Sequence, residues 1–194
     1  MTVIGILALQ GDWHAHGTAF DRLGAASATV RTAAEIDSID ALVIPGGESS
    51  AMLRLMEPEN LAPRIRGRIL AGMAVLATCA GVILLAENVE PSQTSLGVLA
   101  VDVERNAYGR QVHSTVATID SLPPLGAGGS MEGVFIRAPR ITRVGDGVDV
   151  LGRWRDDPVV VRQGRIVGAT FHPELTPDSR VHEFFLRIAE ERNV

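Results

Sequence analysis

The sequence is poor in cysteine, in aromatic residues and in positive charge. Cys79 is the single cysteine among 194 residues, which excludes an internal disulfide framework and a cysteine-based metal cluster and fits a reducing, cytoplasmic setting. Aromatic residues make up 4% of the chain, so we expect a core of valine, isoleucine, leucine and alanine. The net charge of −5 supplies no basic surface, which argues against nucleic acid or an anionic membrane as a partner.

Long apolar runs are also missing. No stretch approaches the ~18 residues that suggest a membrane span. The N-terminus enters a strand-like pattern without the cationic start of a signal peptide, so we expect none. The hydrophobic content of 46% is nevertheless enough for a sizeable core. We therefore expect one domain over residues 1–194, with no membrane partner.

The order of the predicted elements indicates an α/β fold. Residues 3–9 and 41–44 are apolar without polar alternation, as in parallel strands that are buried on both faces. The first half of the chain predicts the order β-α-β-β-α-α-β-α. This order is typical of a three-layer, doubly wound, flavodoxin-like sheet, mixed but mostly parallel and flanked by helices.

The second half of the chain is richer in short strand patterns separated by turns. We expect these segments to add antiparallel or mixed strands to the same sheet. They cover residues 97–104, 112–119, 133–136, 148–154, 159–162 and 166–171. Helices are predicted over residues 13–23, 51–56, 61–71 and 179–191, with Ser49 or Ser50 as the N-cap of the second.

The segment AVLATCAGVILLA, residues 74–86, predicts a strand, a tight turn and a helix around Cys79. At such a nucleophile elbow the side chain projects from the end of a strand and the following backbone N–H groups point toward it. The start of a helix also favours a thiolate. A free cysteine is more often a small buried hydrophobe, so Cys79 alone does not identify an enzyme.

His172 and Glu174 follow another predicted strand. Residues two apart on an extended chain point to the same side, and Pro173 between them disfavours a helix at His172. Glu174 can therefore bind one ring nitrogen and leave the other for a nucleophile. Because parallel strands share one carboxyl edge, we expect Cys79 and His172 to meet there.

Gly46 and Gly47 follow the strand at residues 41–44 and should lie on the same edge. Two glycines allow a backbone N–H to turn inward. Together with the amide of Ala80, this N–H could form an oxyanion hole. A simple tight turn is the alternative interpretation of this glycine pair.

The remaining histidines and several arginines give weaker indications of a metal site or of substrate binding. His14 and His16 are two apart near a helix start and do not share a face, so a metal site there is not expected. His113 and His182 have no evident partner. Three arginines near turns could recognise a substrate carboxylate or could be plain surface charges: Arg105, Arg110 and Arg137.

Six motifs spread over nearly the whole chain resemble one family. They are LALQGD (7–12), PGGESS (45–50), TCAGVILLA (78–86), ERNAYGRQ (104–111), FIRAP (135–139) and FHPEL (171–175). Together they are similar to the glutaminase subunits of pyridoxal 5'-phosphate synthase, which are class I (triad) glutamine amidotransferases. Two departures are small: Ala77 stands where the family usually has glycine, and Ser50 stands where it usually has threonine.

The resemblance implies that Cys79 attacks the side-chain amide of L-glutamine, that His172 shuttles the proton, and that Glu174 orients His172. It assigns the Gly46–Gly47 peptide and the amide of Ala80 to the oxyanion hole. The glutamine-binding positions that it implies are Gly47, Glu48, Ser49, Arg105, Ile136 and Arg137. It further implies no cofactor and a ring-shaped synthase partner that receives the ammonia.

Three other functions stay open at this point. The chain could supply ammonia to another synthase, such as that of histidine biosynthesis, or hydrolyse peptides with the same cysteine. It could also be a non-catalytic domain that uses Cys79 as a sensor thiol. The sensor hypothesis predicts no glutamine turnover and no requirement for His172 or Glu174.

Overall fold

The computed structural model of the chain describes residues 2–107, 115–125 and 129–191. Arg110 and His113 lie outside these ranges. So do residues 108–111 of the ERNAYGRQ motif and the start of the strand predicted at 112–119. Among the described residues, no helix is both long enough and apolar enough to cross a membrane.

Strands and helices alternate in the first half of the chain, and strands dominate the second. The strands are β1 (Ile4–Leu7), β2 (Ser27–Val30), β3 (Ala41–Ile44), β4 (Ala74–Thr78), β5 (Ala86–Glu90), β6 (Leu99–Glu104), β7 (Thr115–Ser121), β8 (Gly129–Phe135), β9 (Arg140–Val144), β10 (Asp149–Trp154), β11 (Asp157–Gln163) and β12 (Ile166–Ala169). The helices are α1 (Trp13–Arg22), α2 (Ala33–Asp37), α3 (Ser49–Met56), α4 (Leu61–Leu70), α5 (Ala80–Leu85) and α6 (Arg180–Glu190), and a short 3₁₀ helix spans Pro173–Leu175.

Nine strands form the central sheet in the order β2-β1-β3-β4-β12-β11-β10-β7-β8. The strands from β2 to β12 in that order are parallel, and those from β11 to β8 continue the sheet as antiparallel neighbours. The predicted α/β class with a mixed, mostly parallel sheet flanked by helices is confirmed. The carboxyl ends of β1, β3, β4 and β12 consequently lie side by side at one edge.

The central strands are apolar throughout because helices cover both faces of the sheet. In β3, Leu42 and Ile44 pack in a hydrophobic cluster with α3, α4 and α5, whereas Ala41 and Val43 pack in a second cluster with α1 and α6. This alternation of faces follows from the two-residue repeat of a strand. A continuous apolar run is therefore what a three-layer arrangement requires.

The structure corrects two predictions about secondary elements. Strands β5, β6 and β9 form a separate three-stranded sheet, although residues 97–104 were expected to extend the main one. Helix α3 begins at Ser49 itself with Glu48 at the N-cap position, so neither Ser49 nor Ser50 caps it.

The sequence-based assignment has no counterpart for helix α2, strand β5 or strand β9. Helix α2 has five residues, which is too short for a periodic pattern, and a capping box between Thr32 and Glu35 holds it. Strand β5 directly follows α5, and β9 is defined by its antiparallel pairing with β6. Partners distant in the sequence decide both strands, so local propensity does not reveal them.

Two helical glycines give a matched test of the packing. A Cβ at Gly81 in α5 would lie 2.4 Å from the backbone oxygen of Ile44, whereas a Cβ at Gly67 in α4 would meet nothing within 4 Å. We expect Gly81→Ala to lower the free energy of unfolding by about 1–3 kcal/mol through overpacking. Gly67→Ala should raise it by about 0.5–1 kcal/mol because it reduces backbone entropy in the unfolded chain. Urea unfolding measures both, and equal effects would contradict the close approach of α5 to β3.

Candidate active site

A small cavity opens at the shared carboxyl edge of the parallel strands. It has a volume of about 220 Å³ and is lined by the loops after β1, β3 and β4 and by residues that follow β12. This is below the ~300–1,000 Å³ typical of sites for drug-sized ligands. The cavity therefore suits a small molecule.

Cys79 lies at the bottom of this cavity, at the turn between β4 and α5. Its backbone has φ 47° and ψ −107°, which is a strained conformation for a residue with a Cβ. The turn is held on both sides: the Cys79 N–H donates to the Ala169 oxygen at 2.8 Å, and the Val82 N–H donates to the Cys79 oxygen at 3.0 Å. The predicted elbow is therefore present, and the sulfur lies 3.9 Å from the carbonyl oxygen of Ile136.

His172 and Glu174 follow β12 at the same edge. The His172 N–H donates to the backbone oxygen of Val134 at 2.8 Å, and the ring Nδ1 lies 2.7 Å from Oε1 of Glu174. Glu174 is 5% exposed, so its carboxylate is buried behind the ring. Cys79 is the other side chain that raises the pKa of the His172 ring.

Gly46 allows the sulfur and the imidazole to meet. A Cβ at this position would lie 2.3 Å from Cε1 of His172 and 3.2 Å from Cβ of Cys79. Any side chain there would push the ring away from the sulfur. The neighbouring Gly47 has φ 153°, and a Cβ on it would come within 2.6 Å of Oε1 of Gln10.

The charges of the site stabilise one another. Burial lowers the pKa of His172, but hydrogen bonds and charge interactions with Cys79 and Glu174 outweigh burial and raise the pKa to about 10. Burial raises the pKa of Glu174, yet the neighbouring imidazoles of His16 and His172 bring the pKa below its ordinary value. The site therefore favours an imidazolium next to an ionised Glu174.

Polar groups form the wall of the cavity. Glu48 makes an ion pair with Arg137, and its N–H donates to Oε1 of Gln10 at 2.8 Å. The hydroxyl of Ser49 donates to Oε1 of Gln93 at 2.9 Å. This wall offers both a carboxylate and a guanidinium to a small ligand.

The structure brings most of the predicted site residues together. The cavity lining includes Gly46, Gly47, Glu48, Ser49, Cys79, Arg105, Ile136, Arg137 and His172. Two predicted residues do not line it: Glu174 lies behind His172, and Ala80 is buried at the first position of α5. Over residues 2–107, 115–125 and 129–191, no group of three or more histidine, cysteine or carboxylate side chains is placed to hold a metal ion.

Sequence reasoning missed two kinds of residue at this site. Ile83, Asn106 and Leu175 also line the cavity. The expectation that His182 lacks a partner is wrong, because its Nε2 lies 3.0 Å from Nδ1 of His16. One sequence signal could have found His16: it precedes Phe20 by four residues and so shares the buried face of α1.

The sequence was compared with protein families and with curated proteins. The model of the SNO glutamine amidotransferase family matches residues 6–191. The pyridoxal 5'-phosphate synthase subunit PdxT of Koribacter versatilis is 49% identical, and the alignment covers 98% of this chain and 97% of that protein. The protein of the same name from Solibacter usitatus is 47% identical, with 96% of this chain and 98% of that protein covered.

Solved structures give a consistent comparison. A crystal structure of a glutamine amidotransferase superposes with a TM-score of 0.88 at 45% identity and covers 96% of this chain and 98% of that one. A chain in the structure of PurLQS from Thermotoga maritima superposes with a TM-score of 0.73 at 15% identity, with 96% and 99% covered. The second likeness concerns the fold alone.

The raised pKa of His172 provides a direct test of the contact with the sulfur. In Cys79→Ser the thiol partner is lost, so burial is opposed mainly by Glu174, and we expect the pKa of His172 to fall well below about 10. Titration of the ring nitrogens by ¹⁵N NMR measures this change. The surface variant Arg64→Ala is the control and should leave the titration unchanged. The same titration in Cys79→Ser and in wild type would contradict the interaction.

Proposed function

This chain belongs to the SNO glutamine amidotransferase family, and on that basis we propose that it is the glutaminase subunit of a pyridoxal 5'-phosphate synthase. It hydrolyses L-glutamine to L-glutamate and ammonia and delivers the ammonia to the synthase subunit. The relatives that carry the PdxT name match over nearly their whole length, which supports this assignment over the ammonia-supplying subunit of another synthase.

One observation carries the catalytic part of the proposal. A sulfur, an imidazole and a buried carboxylate follow one another at the bottom of a small polar cavity, with 2.7 Å between Nδ1 of His172 and Oε1 of Glu174. This order is that of a nucleophile, its base and the group that orients the base. A sensor thiol would need neither the oriented imidazole nor the cavity.

In the first half of the reaction, the sulfur of Cys79 attacks the amide carbon of the glutamine side chain. The carbonyl π electrons move to the oxygen, and the amide of Ala80 with the Gly46–Gly47 peptide stabilises the resulting oxyanion. His172 gives its proton to the nitrogen, the C–N bond breaks, and ammonia leaves. The product of this half is a glutamyl thioester on Cys79.

Water completes the reaction. His172, now neutral, accepts a proton from water as the hydroxide attacks the thioester carbon. The C–S bond breaks, glutamate leaves, and the sulfur returns to the thiolate that pairs with protonated His172. Glu174 keeps Nδ1 of His172 protonated throughout, so Nε2 faces the reacting atoms in both halves.

We assign the binding of glutamine to the wall of the cavity. Arg105 and Arg137 suit its α-carboxylate, and Glu48 suits its α-ammonium group. Gly47, Ser49 and Ile136 complete the surface around the side chain. The small volume of about 220 Å³ supports an amino acid over a peptide as substrate.

The partner and the setting are part of the same proposal. We assign a ring-shaped synthase as the partner, cytoplasmic location, and a heteromeric complex that as a whole catalyses a lyase reaction. We also propose that residues 1–194 act as one glutaminase domain. The family match over residues 6–191 and the two clusters on opposite faces of one sheet support this division.

Ammonia release from glutamine tests the function. We expect the wild-type chain to release ammonia faster when the purified synthase subunit is present. Cys79→Ala should lose at least roughly a thousandfold of that activity, because the nucleophile is gone. An enzyme-coupled ammonia assay gives the rates.

Arg64→Ala on the outer surface of α4 is the matched control and should retain the wild-type rate. A glutamine-like chloroketone should label wild type at Cys79, which mass spectrometry detects, and should not label Cys79→Ala. Wild-type turnover by Cys79→Ala would rule out the nucleophile assignment. Stimulation by a different synthase alone would favour another amidotransferase.

A further inference from the structure

Two buried histidines lie one behind the other on the far side of Glu174 and have no role in the reaction described above. His16 comes from α1 and His182 from α6, and they are 0% and 1% exposed. Their rings are joined by a contact of 3.0 Å between Nδ1 of His16 and Nε2 of His182. Burying a polar ring costs free energy unless its nitrogens are hydrogen-bonded. The contacts of these two rings therefore call for an explanation.

The other side of the His16 ring reaches the catalytic carboxylate. Its Nε2 lies 3.4 Å from Oε2 of Glu174 and 3.2 Å from the hydroxyl oxygen of Thr78, the residue before Cys79. Oε1 of Glu174 is already occupied by His172. Among the described residues Oε2 makes no regular hydrogen bond, so the ring edge of His16 is the polar group that faces it.

The contacts decide which nitrogen of His16 carries the proton. The hydrogen bond of Nε2 is to the Thr78 hydroxyl, which can either accept or donate. The ionised carboxylate beside it, 3.4 Å away, favours a hydrogen on Nε2. If His16 is neutral, its Nδ1 then accepts from Nε2–H of His182. That leaves Nδ1 of His182 without a hydrogen, which agrees with its lack of any partner in the described part of the chain.

The other placements of protons on His16 and His182 are less favourable. With the proton on Nδ1, His16 would turn a lone pair toward the carboxylate of Glu174, and His182 would bury an unpaired N–H. A doubly protonated His16 would also bury that unpaired N–H. An unsatisfied buried donor costs more than an unsatisfied ring nitrogen acceptor, because the N–H loses a strong bond to water.

We propose that His16 is a positioning residue for the active site: as a neutral imidazole with its proton on Nε2, it holds the carboxylate of Glu174 in place, and His182 holds His16 in that tautomer. The inference rests on the proposed function and deepens it. Glu174 then spans two imidazoles, a charged one in front and a neutral one behind. A charged His16 would compete with His172 for the carboxylate, whereas a neutral one leaves the full charge to His172.

The surroundings support neutral rings. Burial lowers the pKa of His182 to about 3. Burial also lowers the pKa of His16, against the opposing charge of Glu174. The groups that face His16 are Glu174 and His172 beyond β12, His182 on α6 and Asp12 at the start of α1, and the net result of their influence and burial is a ring that stays neutral near pH 7.

The tautomers can be measured in the wild-type protein. We expect ¹⁵N NMR of histidine-labelled protein at pH 7 to give His16 and His182 as neutral Nε2–H tautomers and His172 as an imidazolium. His14→Gln and His113→Gln leave His16, His172 and His182 as the histidines of the labelled protein and simplify the assignment. An imidazolium or an Nδ1–H tautomer at His16 would overturn the proposal, whether or not the protein has glutaminase activity.

A pair of variants tests the effect on catalysis in the complex with the synthase. His16→Leu removes the donor, and His16→Gln keeps an N–H near the position of Nε2. We expect His16→Leu to lower kcat by about ten- to hundredfold with little change in KM, because Oε2 of Glu174 then faces no polar group behind the site. His16→Gln should recover at least about tenfold of that loss.

The pH profile of kcat/KM distinguishes a positioning role of His16 from a role in packing alone. Without the donor, the carboxylate of Glu174 protonates at higher pH and then no longer accepts from His172. The acid limb of kcat/KM should therefore move to higher pH in His16→Leu and return in His16→Gln. A uniform loss over all pH values in both variants, or a wild-type profile in His16→Leu, would overturn the proposal.

The controls keep the two proposals apart. If the wild-type complex releases no ammonia, the proposed function is wrong. The tautomer measurement then still tests whether His16 is neutral with its proton on Nε2. If the wild type is active and His16→Leu does not fold, His16→Asn replaces it, since its shorter amide reaches the position of Nδ1 rather than that of Nε2. His16→Asn should then show the loss and the pH shift, and a wild-type profile would overturn the proposal.

Discussion

The arrangement of the site depends on one buried carboxylate. An ionised Glu174 in the protein interior would be prohibitively costly if it were unpaired. His172 meets one of its oxygens at 2.7 Å and the ring of His16 faces the other at 3.4 Å. An imidazole therefore lies next to each oxygen of the carboxylate, and the contact with His172 orients the ring that faces Cys79.

The sheet supplies the geometry for this interaction. The parallel strands β1, β3, β4 and β12 end at the same edge, so loops far apart in the chain meet within a few ångströms. The approach is close enough that position 46 must be glycine, since a Cβ would come within 2.3 Å of the His172 ring. The strained turn at Cys79 is one further cost, of roughly 1–3 kcal/mol, that the surrounding packing must offset.

Much of this site could be predicted because its residues carry local signals. The buried parallel strands are visible as unbroken apolar runs, the elbow as small residues around Cys79, and the His172–Glu174 pair as two polar residues just past a strand. The separate sheet of β5, β6 and β9 has no such signal, because pairing between distant segments defines it. The partner of His182 could not be predicted for the same reason, because that partner, His16, lies 166 residues away in the chain.

The sequence by itself determined the α/β class, the family and the identity of the residues that meet at the strand ends, because strand periodicity, turn chemistry and six motifs are all local properties. Only the tertiary structure decided that Glu174 lies between two imidazoles, that His16 faces Thr78 and the carboxylate, and that His182 supports His16 from α6. Those contacts arise where α1, α6 and the sheet pack against one another. The distances and burial that set charge and tautomer exist only after that packing has formed.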